Sequence, residues 1–128
     1  MTTFLIGTDS PETSRILAAE ATAYIDKTDE LYALNSVGSD ADEETIATGE
    51  QALAVLAEEL GAETTQRVRA TTPQEDLLAA ADEYGADAFV VGIRKRTPTG
   101  KVLFGSTAHD LLLETDRPVL TVPVDKTA

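Results

Sequence analysis

The run Ala88-Phe89-Val90-Val91-Gly92 decides the fold of this chain. Its side chains are apolar on both alternating faces, which is typical of a strand in the middle of a parallel sheet with helices on both sides. A helix start precedes it at Thr72-Pro73, where the threonine is a good cap and Glu75 stands three residues later. A second helix start follows it at Gly105-Ser106-Thr107. Strand and helix therefore alternate around this run, which predicts a parallel sheet.

The same alternation extends outward over the whole chain. The predicted strands are residues 4–8, 31–37, 64–69, 88–92 and 119–124. The third is polar, with Val68 as its one strongly apolar residue, and we expect it at an edge. The pattern predicts one α/β domain over residues 1–128: an open, doubly wound, parallel five-stranded sheet with right-handed crossovers and helices on both faces.

Four helices are predicted between these strands. We expect the first to begin with Ser10 as its cap, to run to about residue 27, and to bury Tyr24. The second shows a clear helical period and should end at Gly61. The last should turn Leu112 toward the core together with Leu111.

Composition narrows the class of protein. Asp and Glu number 23 against 10 Lys and Arg, a net charge of −13, and there is no cysteine. An acidic chain of this kind is a poor nucleic-acid binder, because the phosphate backbone demands a broad basic surface. The sequence contains no run of about 18 apolar residues, so no membrane-spanning segment is predicted. We expect a cytoplasmic location. The acidity is either that of a halophile, which we favour, or that of an ordinary acidic protein.

One basic loop stands apart from this acidity. Arg94, Lys95, Arg96 and Lys101 fall within eight positions, and no Asp or Glu occurs from residue 88 to residue 109. Such a cluster repels itself unless an anion is near. The loop also leads into a helix N-terminus, which favours phosphate. In the alternative interpretation, the glycines end the strand, the serine caps the helix and the cations are simply solvated.

The loop after the first strand is expected to meet the basic loop. Ligands of open parallel sheets bind beyond the carboxyl ends of the strands, where the strand order reverses. If the first and fourth strands are neighbours there, Asp9 is placed to accept hydrogen bonds from an adenine amine or a ribose hydroxyl. The alternative role for Asp9 is to cap the first helix, and the sequence alone leaves both open.

Several of these residues together resemble the universal stress protein family, single-domain type. Its ATP-binding members carry Gly, two residues, Gly, nine residues and Gly-Ser or Gly-Thr after the fourth strand, which is similar to Gly92, Gly105 and Ser106 here. Asp9 matches the Asp that ends the first strand, and Asp116 to Pro123 is similar to the last strand. The resemblance implies strand order 3-2-1-4-5, a stress-response role, ATP with or without Mg²⁺ in the switch-point cleft, and dimerisation through the last strand.

The residues that this comparison and the loop chemistry assign to nucleotide binding share a position at the carboxyl ends of the strands. They are Gly7, Thr8, Asp9, Ser36, Val91, Gly92, Arg94, Lys95, Gly105, Ser106 and Thr107.

Two of these positions depart from the family pattern. Lys95 stands where the second motif glycine is usual, and Ser36 stands where the family usually packs a valine against adenine. Lys95 and Arg94 would replace backbone contacts to phosphate by charge-assisted ones. The same change would equally fit a member that has lost its nucleotide.

Three functions therefore compete. The first is a regulatory module that binds an adenine nucleotide and an unknown protein partner. The second is an interaction protein without nucleotide, whose basic loop meets an acidic partner or inorganic phosphate. The third is a slow ATPase or phosphotransferase, ranked last because no base is positioned to activate water and no catalytic residue can be named. His109 is the one histidine and predicts no metal site.

The last strand predicts an oligomer. Residues Val119 to Val124 are mostly apolar, and Pro123 fits an edge strand. An exposed apolar edge invites pairing with a second copy, and two copies can cover it symmetrically. We therefore expect a homodimer through this strand.

Overall fold

The computed structural model describes residues 1–94 and 106–124, with the backbone alone at Arg94 and Ser106. Within them the chain alternates strictly between strand and helix. The elements are β1 (Thr3–Gly7), α1 (Pro11–Ala21), β2 (Glu30–Gly38), α2 (Glu43–Leu60), β3 (Glu63–Arg69), α3 (Pro73–Tyr84), β4 (Ala88–Arg94), α4 (Ser106–Glu114) and β5 (Val119–Val124).

The strands form one parallel sheet in the order β3-β2-β1-β4-β5. The chain builds outward from β1 to β3 and then returns to place β4 on the other side of β1. Leu5 pairs with Phe89 in the register of β1 and β4, so these two strands are neighbours where the order reverses. The predicted fold class and strand order are confirmed.

Helices cover both faces of the sheet, because alternate side chains of each strand point to opposite sides. Ile6 and Val90 pack with Leu17 of α1 and Leu56 of α2. On the other face Leu5, Val91 and Phe89 pack with residues of α3 and α4. Each fully buried aliphatic side chain contributes about 1.5–3 kcal/mol, so the clusters on both faces stabilise the sheet.

Local capping sets the helix ends. Ser10, Asp42 and Thr72 are the N-caps of α1, α2 and α3. Gly61 and Gly85 follow α2 and α3 with φ of 68° and 65°, the left-handed conformation that glycine adopts without a Cβ penalty. The predicted end of α2 at Gly61 is confirmed. None of the helices described is both long and apolar enough to cross a bilayer.

Three details of the sequence prediction are wrong. Helix α1 ends at Ala21 and not near residue 27, and Tyr24 is 67% exposed. The Thr22 hydroxyl donates to the Ala18 carbonyl at 2.6 Å, and such side-chain bonds compete with helix continuation. Leu112 is 39% exposed, because a neighbour of the fully buried Leu111 on a helix is rotated by about 100° and leaves the core face.

Strand β3 is an edge strand, as predicted, but its apolar residue is exposed and its charged residue is buried. Val68 is 44% exposed, whereas Arg67 is only 7% exposed. The face of β3 toward α3 carries Thr65 and Arg67, which contact Tyr84 and Glu83 of that helix. Burial on this strand therefore follows the cover that α3 provides, and not the hydrophobicity of the residue.

Candidate functional site

A cavity of about 270 Å³ opens at the carboxyl ends of β1 and β4, where the strand order reverses. Seven of the predicted site residues line it. They are Gly7, Thr8, Asp9, Ser36, Val91, Gly92 and Thr107. The structure thus brings together the loop after β1, the end of β2, the end of β4 and the start of α4, as the rule for open parallel sheets predicts.

The other four predicted site residues lie wholly or partly outside the described part of the chain. Lys95 and Gly105 lie outside the described residues, as do Arg96 and Lys101 of the basic loop. The backbone of Arg94 ends β4 and is paired with Val124, and the backbone of Ser106 begins α4.

The loop after β1 is held by hydrogen bonds to β2 and α1, and α1 is bonded in turn to α2. The Thr8 N–H donates to the Leu34 carbonyl at 3.1 Å, and Asn35 Nδ2 donates to the Thr8 carbonyl at 2.9 Å. Ser14 Oγ donates to the Ala52 carbonyl at 2.7 Å and lies 2.6 Å from Thr8 Oγ1. Since the one hydroxyl hydrogen of Ser14 is used by that carbonyl, Thr8 is the donor in the hydroxyl pair. The backbone at this edge of the cavity is therefore fixed before any ligand arrives.

Asp9 lies at the mouth of the cavity and is exposed. The cap of α1 is its neighbour Ser10, whose Oγ accepts from the Thr13 N–H at 3.2 Å. Ser10, and not Asp9, is therefore the N-cap residue of α1. The Asp9 carboxylate can only accept hydrogen bonds, so a ligand group that meets it must be a donor.

Gly92 lies in a narrow space at the wall of the cavity. A Cβ at this position would stand 3.1 and 3.2 Å from the two methyl groups of Val124 and 3.7 Å from a methyl group of Thr13. Gly92 therefore lets β4 pack closely against Val124 of β5, in addition to forming part of the cavity wall.

Ser36 carries a contact that the sequence did not reveal. Its Oγ donates to Asp76 Oδ2 at 2.5 Å, and Thr71 Oγ1 donates to Asp76 Oδ1 at 2.9 Å. Asp76 lies in the first turn of α3 and is 2% exposed. Forty residues separate the two partners, and no spacing pattern links them. The sequence signal was limited to an acidic residue at a helix N-terminus, which usually has a structural meaning.

The rest of the cavity wall is mainly apolar and was not predicted. Its further residues are Thr13, Leu34, Pro73, Leu77, Ile93, Ala108 and Val124. Most of these also belong to the two hydrophobic clusters, so they look like ordinary core residues in the sequence. A cavity with an apolar wall and a few polar groups suits a small organic ligand that carries polar substituents.

A second, more open cavity of about 440 Å³ adjoins the first and shares Asp9 and Ser36 with it. It lies between the end of β2 and the start of α2, where Glu44, Thr45 and Thr48 line it. Beside it the side-chain and backbone donors of Thr45 lower the pKa of Asp42 from its usual value of 3.8. Among residues 1–94 and 106–124 no group of three His, Asp or Glu side chains could hold a metal ion.

Comparison with known proteins gives a consistent result. The profile of the universal stress protein family matches residues 1–123. A curated universal stress protein of Mycolicibacterium smegmatis is 54% identical over 48 residues, which are 38% of this chain and 37% of that protein. The match to this chain therefore covers well under half the length of the curated relative.

Two solved structures are similar over nearly all of this chain. A universal stress protein from Archaeoglobus fulgidus is 32% identical, with a TM-score of 0.70 over 95% of this chain and 98% of the other. A universal stress protein from the same organism, solved in complex with dAMP, is 26% identical, with a TM-score of 0.64 over the same shares.

Proposed function

The chain belongs to the universal stress protein family, and from that premise we propose that it is a stress-response module that binds an adenine nucleotide, ATP, in the cavity between β1 and β4. The observation that carries the proposal is the placement of this cavity. It lies where the strand order reverses, and the loop after β1 meets the start of α4 there. The complex of the Archaeoglobus fulgidus relative with dAMP supports a nucleotide of this class.

The apolar wall is the natural place for the base. Leu34, Leu77 and Val91 offer aliphatic surface, and the volume of about 270 Å³ lies just below the usual range for small-molecule sites, which begins at about 300 Å³. Asp9 at the rim then accepts from a ribose hydroxyl or from the amino group of the base. Asp9 suits either role, because its carboxylate accepts hydrogen bonds and both ligand groups donate them.

The phosphates are proposed to lie toward the start of α4. Thr107 lines the cavity in the first turn of that helix, where free backbone N–H groups favour an anion. Arg94 is the last residue of β4 and Lys95 follows it directly in the sequence, and both supply positive charge in a chain of net charge −13. Lys95 takes the place of a motif glycine, so we expect charge-assisted contacts to phosphate where relatives use backbone contacts. Mg²⁺ would then be held chiefly by the phosphates.

Isothermal titration with ATP and Mg²⁺ at high KCl tests this proposal. We expect saturable heat for the wild type and weaker binding for Asp9→Ala. Glu58→Ala is the matched control, because it removes an exposed carboxylate on α2 that lines neither cavity. The absence of any heat at millimolar nucleotide would refute the proposal.

A second candidate function rests on Lys95. If that lysine abolishes the close approach of the loop to phosphate, the protein is an interaction module whose basic loop meets an acidic partner. Capture of a partner that is lost in Arg94→Glu plus Arg96→Glu, together with no affinity for ATP, would favour it. Release of phosphate from ATP at a rate that Asp9→Ala abolishes would instead indicate a slow ATPase.

A further inference from the structure

The Ser36 hydroxyl stands between the cavity and a buried carboxylate. Ser36 lines the cavity, whereas Asp76 behind it is 2% exposed. Each carboxylate oxygen of Asp76 accepts one hydroxyl: Oδ2 accepts from Ser36 at 2.5 Å and Oδ1 from Thr71 at 2.9 Å. Within residues 1–94 and 106–124 these two hydroxyls are the donors that the carboxylate receives, one on each oxygen.

This arrangement determines what Ser36 can offer a ligand. A serine hydroxyl has one hydrogen and two lone pairs. The hydrogen is used by Asp76, and turning it toward the cavity would leave one buried oxygen of a charged group without its donor, which is costly. Ser36 Oγ therefore faces the cavity as an acceptor and not as a donor.

The neighbouring polar groups have the same character. Thr8 lines the same cavity, and its hydroxyl hydrogen is donated to Ser14. Asp9 adds a carboxylate at the rim, which also only accepts. On the β1–β2 side of the cavity, the hydroxyl hydrogens of Thr8 and Ser36 are thus both turned into the protein.

We propose that Ser36 Oγ is a fixed acceptor that selects purines with an amino group at ring position 6 over purines with a 6-oxo group, and that Asp76 is the residue that positions it. A 6-amino group donates to this oxygen, whereas a 6-oxo group would bring two acceptors together. The inference rests on the proposed function, because it requires the base to lie in this cavity. It adds a side-chain selectivity device formed by Ser36 and Asp76.

Binding of ATP and of inosine triphosphate tests the inference, because the two nucleotides differ at ring position 6. The 6-oxo base of inosine triphosphate also carries a hydrogen on N1, which the 6-amino base of ATP lacks. We expect wild type to bind ATP about tenfold more tightly, the size of one hydrogen bond gained or lost. In Ser36→Ala this ratio should fall close to 1, whereas Ser36→Thr keeps the hydroxyl and should retain it.

Asp76→Asn is the second variant. Its amide can donate to Ser36 Oγ and free the hydroxyl hydrogen to turn toward the cavity, so the ratio should fall to about 1 or reverse. Thr71→Ala is the matched control: it removes the other donor to Asp76 but leaves Ser36 in place, so the ratio should be retained. Circular dichroism and thermal unfolding establish that each variant is folded; if Ser36→Ala is not, the Asp76→Asn and Thr71→Ala pair decides.

The outcomes separate this inference from the proposed function. Equal binding of both nucleotides to wild type, or a ratio that Ser36→Ala or Asp76→Asn leaves unchanged, would overturn the inference while nucleotide binding stands. Failure of wild type to bind either nucleotide would overturn both. A ratio that falls in Ser36→Ala and Asp76→Asn and survives in Ser36→Thr and Thr71→Ala would establish it.

Discussion

Arg67 of β3 donates through Nη2 to Glu83 Oε2 of α3 at 2.6 Å, so an edge strand and its covering helix are joined by a charged pair. The two partners are unequal, because the Arg67 side chain is 6% exposed and that of Glu83 is 55% exposed. Nη1 of Arg67 is buried and has no hydrogen-bond partner among the described residues. In the part of the chain that the structure describes, Glu83 is the carboxylate that compensates the charge of Arg67.

From this asymmetry we predict that Glu83→Gln is more destabilising than Arg67→Met. Glu83→Gln leaves a buried guanidinium without its counter-charge, and we expect a loss of about 1–3 kcal/mol, below the full penalty of a buried pair because Glu83 is half exposed. Arg67→Met removes both the charge and the unsatisfied nitrogen, and should cost less than about 1 kcal/mol. Urea unfolding at one fixed salt concentration measures both changes.

The pair of Arg117 and Asp82 supplies the control. These side chains meet at 2.9 Å, but they are 29% and 77% exposed. Asp82→Asn should change stability by less than about 0.5 kcal/mol, as expected for a surface pair. Equal losses in Glu83→Gln and Asp82→Asn would show that burial of Arg67 has no energetic consequence.

Gly49 in the middle of α2 gives a second prediction. Alanine is normally better than glycine in a helix by about 1 kcal/mol. Here a Cβ would overlap Asn35 Oδ1 and Gln66 Nε2, which bond to one another at 3.0 Å. We expect Gly49→Ala to destabilise by about 2–4 kcal/mol, because the bond and the packing of α2 on the sheet must be disrupted. Thermal unfolding measures the change.

The neighbouring Glu50→Ala is the control for that substitution, because Glu50 is exposed on the same helix. Its effect should lie within about 0.5 kcal/mol. A more stable Gly49→Ala would mean that helix propensity prevails over the contact with Asn35.

The sequence allowed much of the site to be predicted, for a physical reason. Strand ends that meet at a reversal point follow from the alternation of elements, so Gly7, Asp9 and Gly92 were placed together without any contact information. Ser36 and Asp76 were not linked, because hydrogen bonds between distant side chains leave no periodic pattern. The inward prediction for Leu112 failed because it lies about 100° around α4 from the buried Leu111, beyond the face of this helix that packs on the core.

The helix cap Asp42 predicts a pH effect. Hydrogen bonds from the side chain and backbone of Thr45 lower the pKa of Asp42 from 3.8 in the folded state. A lowered pKa means that its contribution to stability is present above about pH 4 and is lost as the pH falls through the folded value. Asp42→Asn keeps a capping side chain without a titrating proton, so the difference in stability between wild type and variant should shrink from neutral pH toward pH 3.

Urea unfolding of both proteins between pH 3 and pH 7 checks this sign. Taking the difference removes the titration of the other carboxylates, which is common to both. Glu44→Gln, a nearby substitution at an exposed position, gives the matched comparison. A difference between wild type and Asp42→Asn that grows as the pH falls would contradict the prediction.

The acidic surface predicts stabilisation by salt. With a net charge of −13 the folded chain repels itself, and added salt shortens the reach of that repulsion from roughly 10 Å at 0.1 M to roughly 3 Å at 1 M. We expect the melting temperature to rise with KCl, most steeply below about 1 M. Replacing the exposed Glu58 and Glu59 by Gln should reduce the rise; a variant that gains as much from salt as wild type would refute a role for surface repulsion.

The free edge of β5 predicts a homodimer. Among the described residues β5 pairs with β4 alone, so its other side presents backbone donors and acceptors to a second copy. Antiparallel pairing about a twofold axis at the centre of Val119–Val124 would bring the two copies of Thr121 close together. Thr121→Asp should then place like charges near the axis and weaken dimerisation at least about tenfold in light scattering after gel filtration. Thr64→Asp on the opposite edge is the control and should leave the dimer intact, and a wild type that is monomeric at millimolar concentration would eliminate this interface.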